Sequence, residues 1–264
     1  MKYVIDHDLH IHSQLSLCSG HPEQTTERIL RYAKEMGFKK ICLTDHFWDD
    51  RVDGATDWYK AQNFVHISKA LPLPKEEGIT FGFGCETDFD RYMTLGITPE
   101  TMEKLDFIIV PTNHLHMKGF TIAADITGVK ARARLFMERN HALLDMKLPF
   151  EKIGLAHFTC SLIAYGCDGS HEDIMNAISD NSYAELFERI ADCGMGLELN
   201  LPLPDCSSES LLRPYRIARA CGCKFYLGSD AHDPKELNEA RQRFEAITEA
   251  LGLTEDDKFP LVLN

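Results

Sequence analysis

The sequence predicts an α/β fold, a barrel of about seven βα units on one domain, and three observations lead there. Short apolar runs alternate with helix-patterned segments along the whole chain, and that alternation builds a parallel sheet with helices outside it. The length, 264 residues, suits a single α/β barrel. No Gly-x-Gly-x-x-Gly follows the first apolar run, which argues against an open dinucleotide-binding sheet. With no internal repeat, low-complexity tract or domain boundary in view, residues 1–264 read as one domain.

The strand candidates are residues 3–8, 40–44, 80–85, 107–111, 153–156, 196–199 and 224–227. Each is a short apolar run bounded by polar residues or Gly, as strands buried on both faces should be. Between them, residues 26–36 carry Ile29, Leu30, Ala33 and Met36 at helical spacing, and Gly37 stops the run. Residues 48–74 exceed a plain βα connection and are expected to hold one helix, 59–71, on the rim of a site. A longer helix is expected over 129–147, with Leu135, Phe136, Leu143 and Leu144 on its apolar side. Ser170-His171-Glu172-Asp173 reads as a capping box before Ile174. The last helices are expected over 209–220 and 234–251, the latter ended by Gly252.

Composition narrows the function. Apolar residues are 44% and charged residues 26%, an ordinary globular balance that excludes wholesale disorder. With 28 Lys and Arg against 41 Asp and Glu the net charge is −13, which argues against extended nucleic acid as a partner. No apolar run approaches the roughly 20 residues that span a bilayer, and the N-terminus turns polar too early for a signal peptide. A cytoplasmic protein without membrane contact is expected. Its nine cysteines are odd in number and include no Cys-x-x-Cys, so reduced thiols are expected. Cys221-Gly222-Cys223 reads as a helix end followed by a strand start.

The chemistry sits where the apolar runs end. They lead into Asp8-Leu9-His10-Ile11-His12, Thr44-Asp45-His46, Glu86-Thr87-Asp88, Asn113-His114-Leu115-His116, Ala156-His157 and Ser229-Asp230-Ala231-His232. In a βα barrel these ends converge on one mouth. Side chains alternate along a strand, so Asp8, His10 and His12 are expected on one face and Leu9 and Ile11 toward the helices. Seven of the 12 histidines, at 10, 12, 21, 46, 114, 157 and 232, fall at or just past strand ends. Imidazoles gathered at one mouth need partners, and divalent ions such as Zn, Mn or Fe supply them, with carboxylates able to bridge two ions.

On these motifs the sequence resembles the PHP family (polymerase and histidinol phosphatase domains), from residue 8 to residue 232. The resemblance implies a distorted seven-stranded, TIM-like barrel that binds two or three divalent metal ions and hydrolyses phosphoesters. It implies one ion held by His10, His12, Glu86 and Asp230. Glu86 would bridge to a second, also held by His114 and His157. His46 and His232 would hold a third with a ligand from the loop after His12. That loop offers Cys18 or His21; His21 is favoured, because a third imidazole leaves the charge of the ion undiminished. His114 is preferred to His116 as ligand, which leaves His116 as a proton donor or phosphate contact. Asp8 and Asp45 are expected to orient imidazoles, and His7, of opposite parity, to pack toward the helices.

Three divalent ions bring about +6 against −2 from Glu86 and Asp230, so an acidic protein can hold a positive pocket for a phosphate dianion. Metal-activated hydroxide would attack phosphorus, and neither a Gly-x-Ser-x-Gly nor a Cys-x5-Arg nucleophile motif is present. Arg91, Lys118 and Arg213 are the candidate phosphate clamps. The expected reaction is hydrolysis of a small phosphomonoester, with histidinol phosphate the leading substrate by resemblance. A nuclease or nucleotide phosphoesterase of the same family is the first alternative. An amidohydrolase-type barrel is the second, disfavoured because 107–111 holds no bridging Lys.

Overall fold

Seven strand passages run parallel, two of them interrupted, in a computed structural model that describes residues 1–263. In chain order the elements are β1 (His7–Ile11), α1 (Thr26–Met36), β2 (Lys40–Leu43), β3 (His46–Phe47), α2 (Asp57–Lys60), α3 (Phe64–Ile67), β4 (Thr80–Phe83), β5 (Cys85–Thr87) and α4 (Pro99–Met102). Then follow β6 (Ile108–Val110), α5 (Val129–Leu144), β7 (Ile153–Leu155), α6 (His171–Asn176), α7 (Asp180–Cys193), β8 (Gly196–Leu199), α8 (Glu209–Ala220), β9 (Lys224–Leu227) and α9 (Pro234–Ala250). β2 resumes as β3 and β4 as β5, so nine segments make seven passages. They pair in the orders β1-β2-β4 and β3-β5-β6-β7-β8-β9. At Gly84, between β4 and β5, a Cβ would stand 2.2 Å from the Phe107 carbonyl oxygen, so only glycine lets the passage bend this close to its neighbour.

The first and last passages meet at a seam. His12 N–H donates to Ala231 O at 3.0 Å and Asp230 N–H to His10 O at 2.7 Å. Below them, side chains replace the ladder. Leu227 N–H donates to His7 Nε2 at 3.0 Å and Ser229 N–H to Asp8 Oδ1 at 2.9 Å. The register of β1 against β2 slips between Asp8 and Ile11, and this irregularity overturns the expected alternation. Leu9 joins the barrel-interior cluster with Phe107, Ile109 and Tyr226, while Ile11 packs in the core that includes α1. Asp8 accepts from Tyr32 Oη of α1 at 2.7 Å instead of sharing a face with His10. His7 lies in the seam, not against the helices.

β1 begins four residues later than expected because Tyr3 pairs elsewhere: its N–H donates to Leu253 O and its hydroxyl to Phe225 O. The single helix expected over 59–71 is two four-residue helices and a 3-10 turn. Asn63 starts the second one, its side chain accepting from His66 N–H at 3.1 Å. The capping box before Ile174 forms as expected, Ser170 and Asp173 each serving the other's backbone. All nine cysteines are free thiols. Among the described residues no helix is long and apolar enough to cross a membrane.

The chain end closes the barrel at its N-terminal face. Phe259 N–H donates to Phe225 O, Lys40 Nζ reaches Leu261 O at 2.9 Å, and Leu263 lies against Gly82. Phe259, Leu261 and Leu263 pack under Phe107 and Tyr226, so among the described residues the interior is filled from below. Phe259→Ala should therefore lower unfolding free energy by about 3 kcal/mol in denaturant titration, with metal content per folded chain unchanged. An unchanged midpoint would show that the tail is not part of the core.

Candidate metal centre

At the open end Glu86, 1% exposed, lies among imidazoles from four passages. Three sets of donor atoms lie close enough to hold an ion: His10, His12, Glu86 and Asp230; Glu86, His114 and His157; and His12, His46 and His232. In the first set His10 Nε2 and His12 Nε2 are 3.1 Å apart. Asp230 Oδ1 is 3.3 and 3.1 Å from them, and Glu86 Oε2 is 3.6 and 3.3 Å away. Donors about 2.05 Å from a tetrahedral ion stand about 3.3 Å from one another, so the spacing fits a divalent cation. Glu86 Oε2 and His46 Nδ1 are 3.0 Å apart, both buried and without a hydrogen bond, as donors intended for a metal would be.

Four of the remaining ring nitrogens are fixed from behind. His10 Nδ1 donates to Glu198 Oε1 at 2.7 Å, and the other Glu198 oxygen accepts the His157 backbone N–H. His114 Nδ1 donates to Asp88 Oδ2 at 3.0 Å, and Tyr59 Oη also bonds Asp88. His12 Nδ1 donates to Ser16 Oγ at 2.9 Å, which donates to Asp45 Oδ1 at 2.7 Å. His232 Nδ1 donates to the Asp230 carbonyl at 2.8 Å. Each bond selects the tautomer whose Nε2 lone pair faces the cluster. Two donors stand on backbone in the left-handed region, Asp230 at φ 55° and His157 at φ 22°, a conformation retained where the surroundings enforce it.

The electrostatics also favour cations. Burial alone would raise the Glu86 carboxyl, yet the imidazoles of His46, His10 and His12 hold it well below the usual carboxylate range. Asp230 is likewise held down, against its burial, by His10 and His232. Burial would lower His10, but Glu198, Asp230 and Glu86 raise it well above the ordinary imidazole value. Asp8 is pushed up to about 6 by burial, against hydrogen bonds from Ser229 and Tyr32.

Of the expected site residues, His10, His12, His46, Glu86, His114, His157, Asp230 and His232 come together. His21 does not: it is half-buried outside the sets, its Nδ1 accepting from Glu23 N–H at 3.2 Å. Cys18 instead reaches the wall of the mouth beside His46 and His232. Asp45 orients His12 only through Ser16, and Asp8 orients no imidazole, because the slip in β1 turns it toward α1. His116 lines the mouth, its Nδ1 buried without a partner. Burial and the neighbouring His114 push it down to about 4, so the ring is neutral at pH 7. Of the three candidate clamps only Lys118 lines the mouth. Arg91 stacks on Tyr92, and Arg213 binds Asp180 and the carbonyls of Met175 and Ile178.

Sequence reasoning missed Glu198, Asp88, Ser16 and two arginines. Arg132 and Arg139, both fully buried on α5, bond backbone carbonyls. Arg132 holds Ile126, Leu115, Ile163 and Tyr165. Arg139 holds Thr112, Asp90, Thr121 and Phe89. The two guanidinium groups thereby fix the loops that follow β5, β6 and β7, from which His114 and His116 project. The mouth is a cavity of about 520 Å³, large enough for a small molecule.

The PHP domain family model matches residues 8–201. Over 116 residues the chain is 30% identical to a probable phosphatase of Caldicellulosiruptor saccharolyticus, and the match takes in 44% of each protein, less than half the relative's length. Two solved structures share the fold. The histidinol phosphate phosphatase of Lactococcus lactis, solved with zinc, L-histidinol and phosphate, superposes with a TM-score of 0.54 at 15% identity over 93% of both chains. A putative histidinol phosphatase of Listeria monocytogenes gives 0.63 at 15% identity, over 90% of this chain and 100% of that one.

At Gly228 a Cβ would fall 1.8 Å from Glu198 Oε1 and 2.7 Å from His10 Cβ. Gly228→Ala and Glu198→Gln should both release His10 and weaken zinc binding by about 10- to 100-fold, read by competition with a chromogenic chelator. Equal affinity in all three proteins would mean that Glu198 does not position a ligand.

Proposed function

The chain belongs to the PHP domain family, and on that premise we propose that it is a metal-dependent phosphoesterase that hydrolyses a small phosphomonoester. The observation that carries this reading is the gathering of three donor sets at the floor of one mouth, two of them sharing Glu86 and two sharing His12. His10, His12, Glu86 and Asp230 would hold one divalent ion and Glu86, His114 and His157 a second. His46 and His232 would contribute to a third. Zinc, manganese or iron bound there supplies Lewis acidity toward a phosphoryl group and lowers the pKa of water.

The chain's own groups do the rest. Glu198, Asp88 and Ser16 keep the His10, His114 and His12 rings aimed at the cluster before substrate arrives, so little reorganisation is needed during reaction. His116, neutral and within the mouth, offers one N–H to a phosphoryl or leaving oxygen. Lys118 adds a positive charge on the wall. A monoester suits this site better than a diester, because its dianion gains more from the ions and needs less room. Histidinol phosphate is the named candidate, supported by the two solved neighbours.

Protein purified without chelator should contain more than one transition metal per chain by elemental analysis, and chelation should abolish aryl phosphate hydrolysis. Glu86→Ala should reduce kcat by more than about a hundredfold, beyond the cost of losing an outer partner of a ligand. Full activity of metal-free protein, or a short oligonucleotide hydrolysed faster than any monoester under the same metal, would overturn the proposal.

A further inference from the structure

The wall above the cluster is mostly apolar. Trp58, Met117, Phe120 and Leu162 face the cavity. Trp58 stands against the His46 ring, with centroids 5.2 Å apart. Phe120 is backed by Trp48 and Tyr59, with centroids at 5.3 and 5.2 Å. A group leaving from a phosphate held at the cluster would therefore lie against an apolar wall that includes the Trp58 indole and the Phe120 ring.

Charge on the wall is one-sided. Among the described residues its only carboxylates are Glu86 and Asp230, both in the donor sets, and its only lysine or arginine is Lys118. Nearby acids are engaged elsewhere: Asp88 with Tyr59 and His114, Asp49 with Arg51, and Asp57 in solvent beside Lys60. An ammonium group on the leaving part would meet Lys118 and the cations of the centre, with no carboxylate outside the donor sets among the described wall residues to receive it. Like charges a few ångströms apart in a partly dry site are costly.

We propose that the phosphomonoester accepted here carries a flat, uncharged ring on its leaving group, held by Trp58 and Phe120, and that an ammonium group beside the phosphate is selected against. This rests on the phosphoesterase reading and refines its substrate. It ranks histidinol phosphate, an amino alcohol ester, below ring esters that lack the amine.

The test is a matched pair, 3-phenylpropyl phosphate and L-phenylalaninol phosphate, which share ring and chain length and differ by one ammonium group. The amine makes its alcohol the better leaving group, so a preference for the neutral ester runs against intrinsic reactivity. With manganese or zinc, kcat/KM for the neutral ester should be higher by about tenfold or more. Lys118→Glu should shrink that ratio. Trp58→Ala should lower kcat/KM for the neutral ring ester, relative to glycerol 2-phosphate, by about tenfold. Preference for the amine ester, or an equal effect of Trp58→Ala on ring and ringless esters, would overturn this inference and leave the phosphoesterase reading intact. Hydrolysis of none of these esters by metal-loaded protein would overturn the phosphoesterase reading itself.

Discussion

Glu86 is a carboxylate almost without solvent, facing the imidazoles of His12, His46 and His157 from three separate strand passages. A buried carboxylate is costly unless positive charge compensates it, and the passages that end around it supply ligands able to hold that charge. The convergence requires the barrel to close where His12 and Asp230 meet. The seam there is made by two backbone bonds and by the side chains of His7 and Asp8. Residues that look like site chemistry in the motif are thus divided between the metal centre and the joint that brings its halves together.

The orienting carboxylates change the charge balance. Glu86 and Asp230 alone would leave three divalent ions with about +4. Glu198, Asp88 and Asp45 stand immediately behind the ligands; counted as ionised, they reduce the surplus to about +1. With two ions the total would be about −1. Attraction of a phosphate dianion then depends on local geometry, on open coordination positions and Lys118, more than on any broad positive field. The arginines of α5 fit the same logic. Satisfied by backbone carbonyls, they fix loops around the mouth without projecting charge into it.

The sequence made the fold legible where strands are buried on both faces: β8 and β9 fall where their apolar runs predict. It misplaced β1, because Tyr3 packs against the chain end and a slip between Asp8 and Ile11 breaks the period of two. Most ligands were readable because each follows an apolar run. Glu198 was not, since it sits inside β8 rather than after its apolar run. Its signal was a charged residue in an apolar strand, facing the glycine of Gly228-Ser229-Asp230. Asp88 was readable by parity with Glu86, two residues before it. The path from Asp45 through Ser16 to His12 had no signal, because it depends on how a loop folds back across 29 residues.

The same loop decides the third donor set. His12 has one free lone pair, its Nδ1 being committed to Ser16, yet its Nε2 lies within reach of two sets. An ion held with His10 and Asp230 uses that lone pair, which leaves His46 and His232 as a two-ligand pair. Two imidazoles bind weakly beside a site with four donors, so the outer position needs something further, from protein or from substrate. His21 lies outside the donor sets and Cys18 stands on the wall. A phosphate oxygen could complete the outer set as readily as a side chain could. On that reading an outer ion would bind most firmly with substrate present, and the loop that orients His12 would leave the third position incomplete until then.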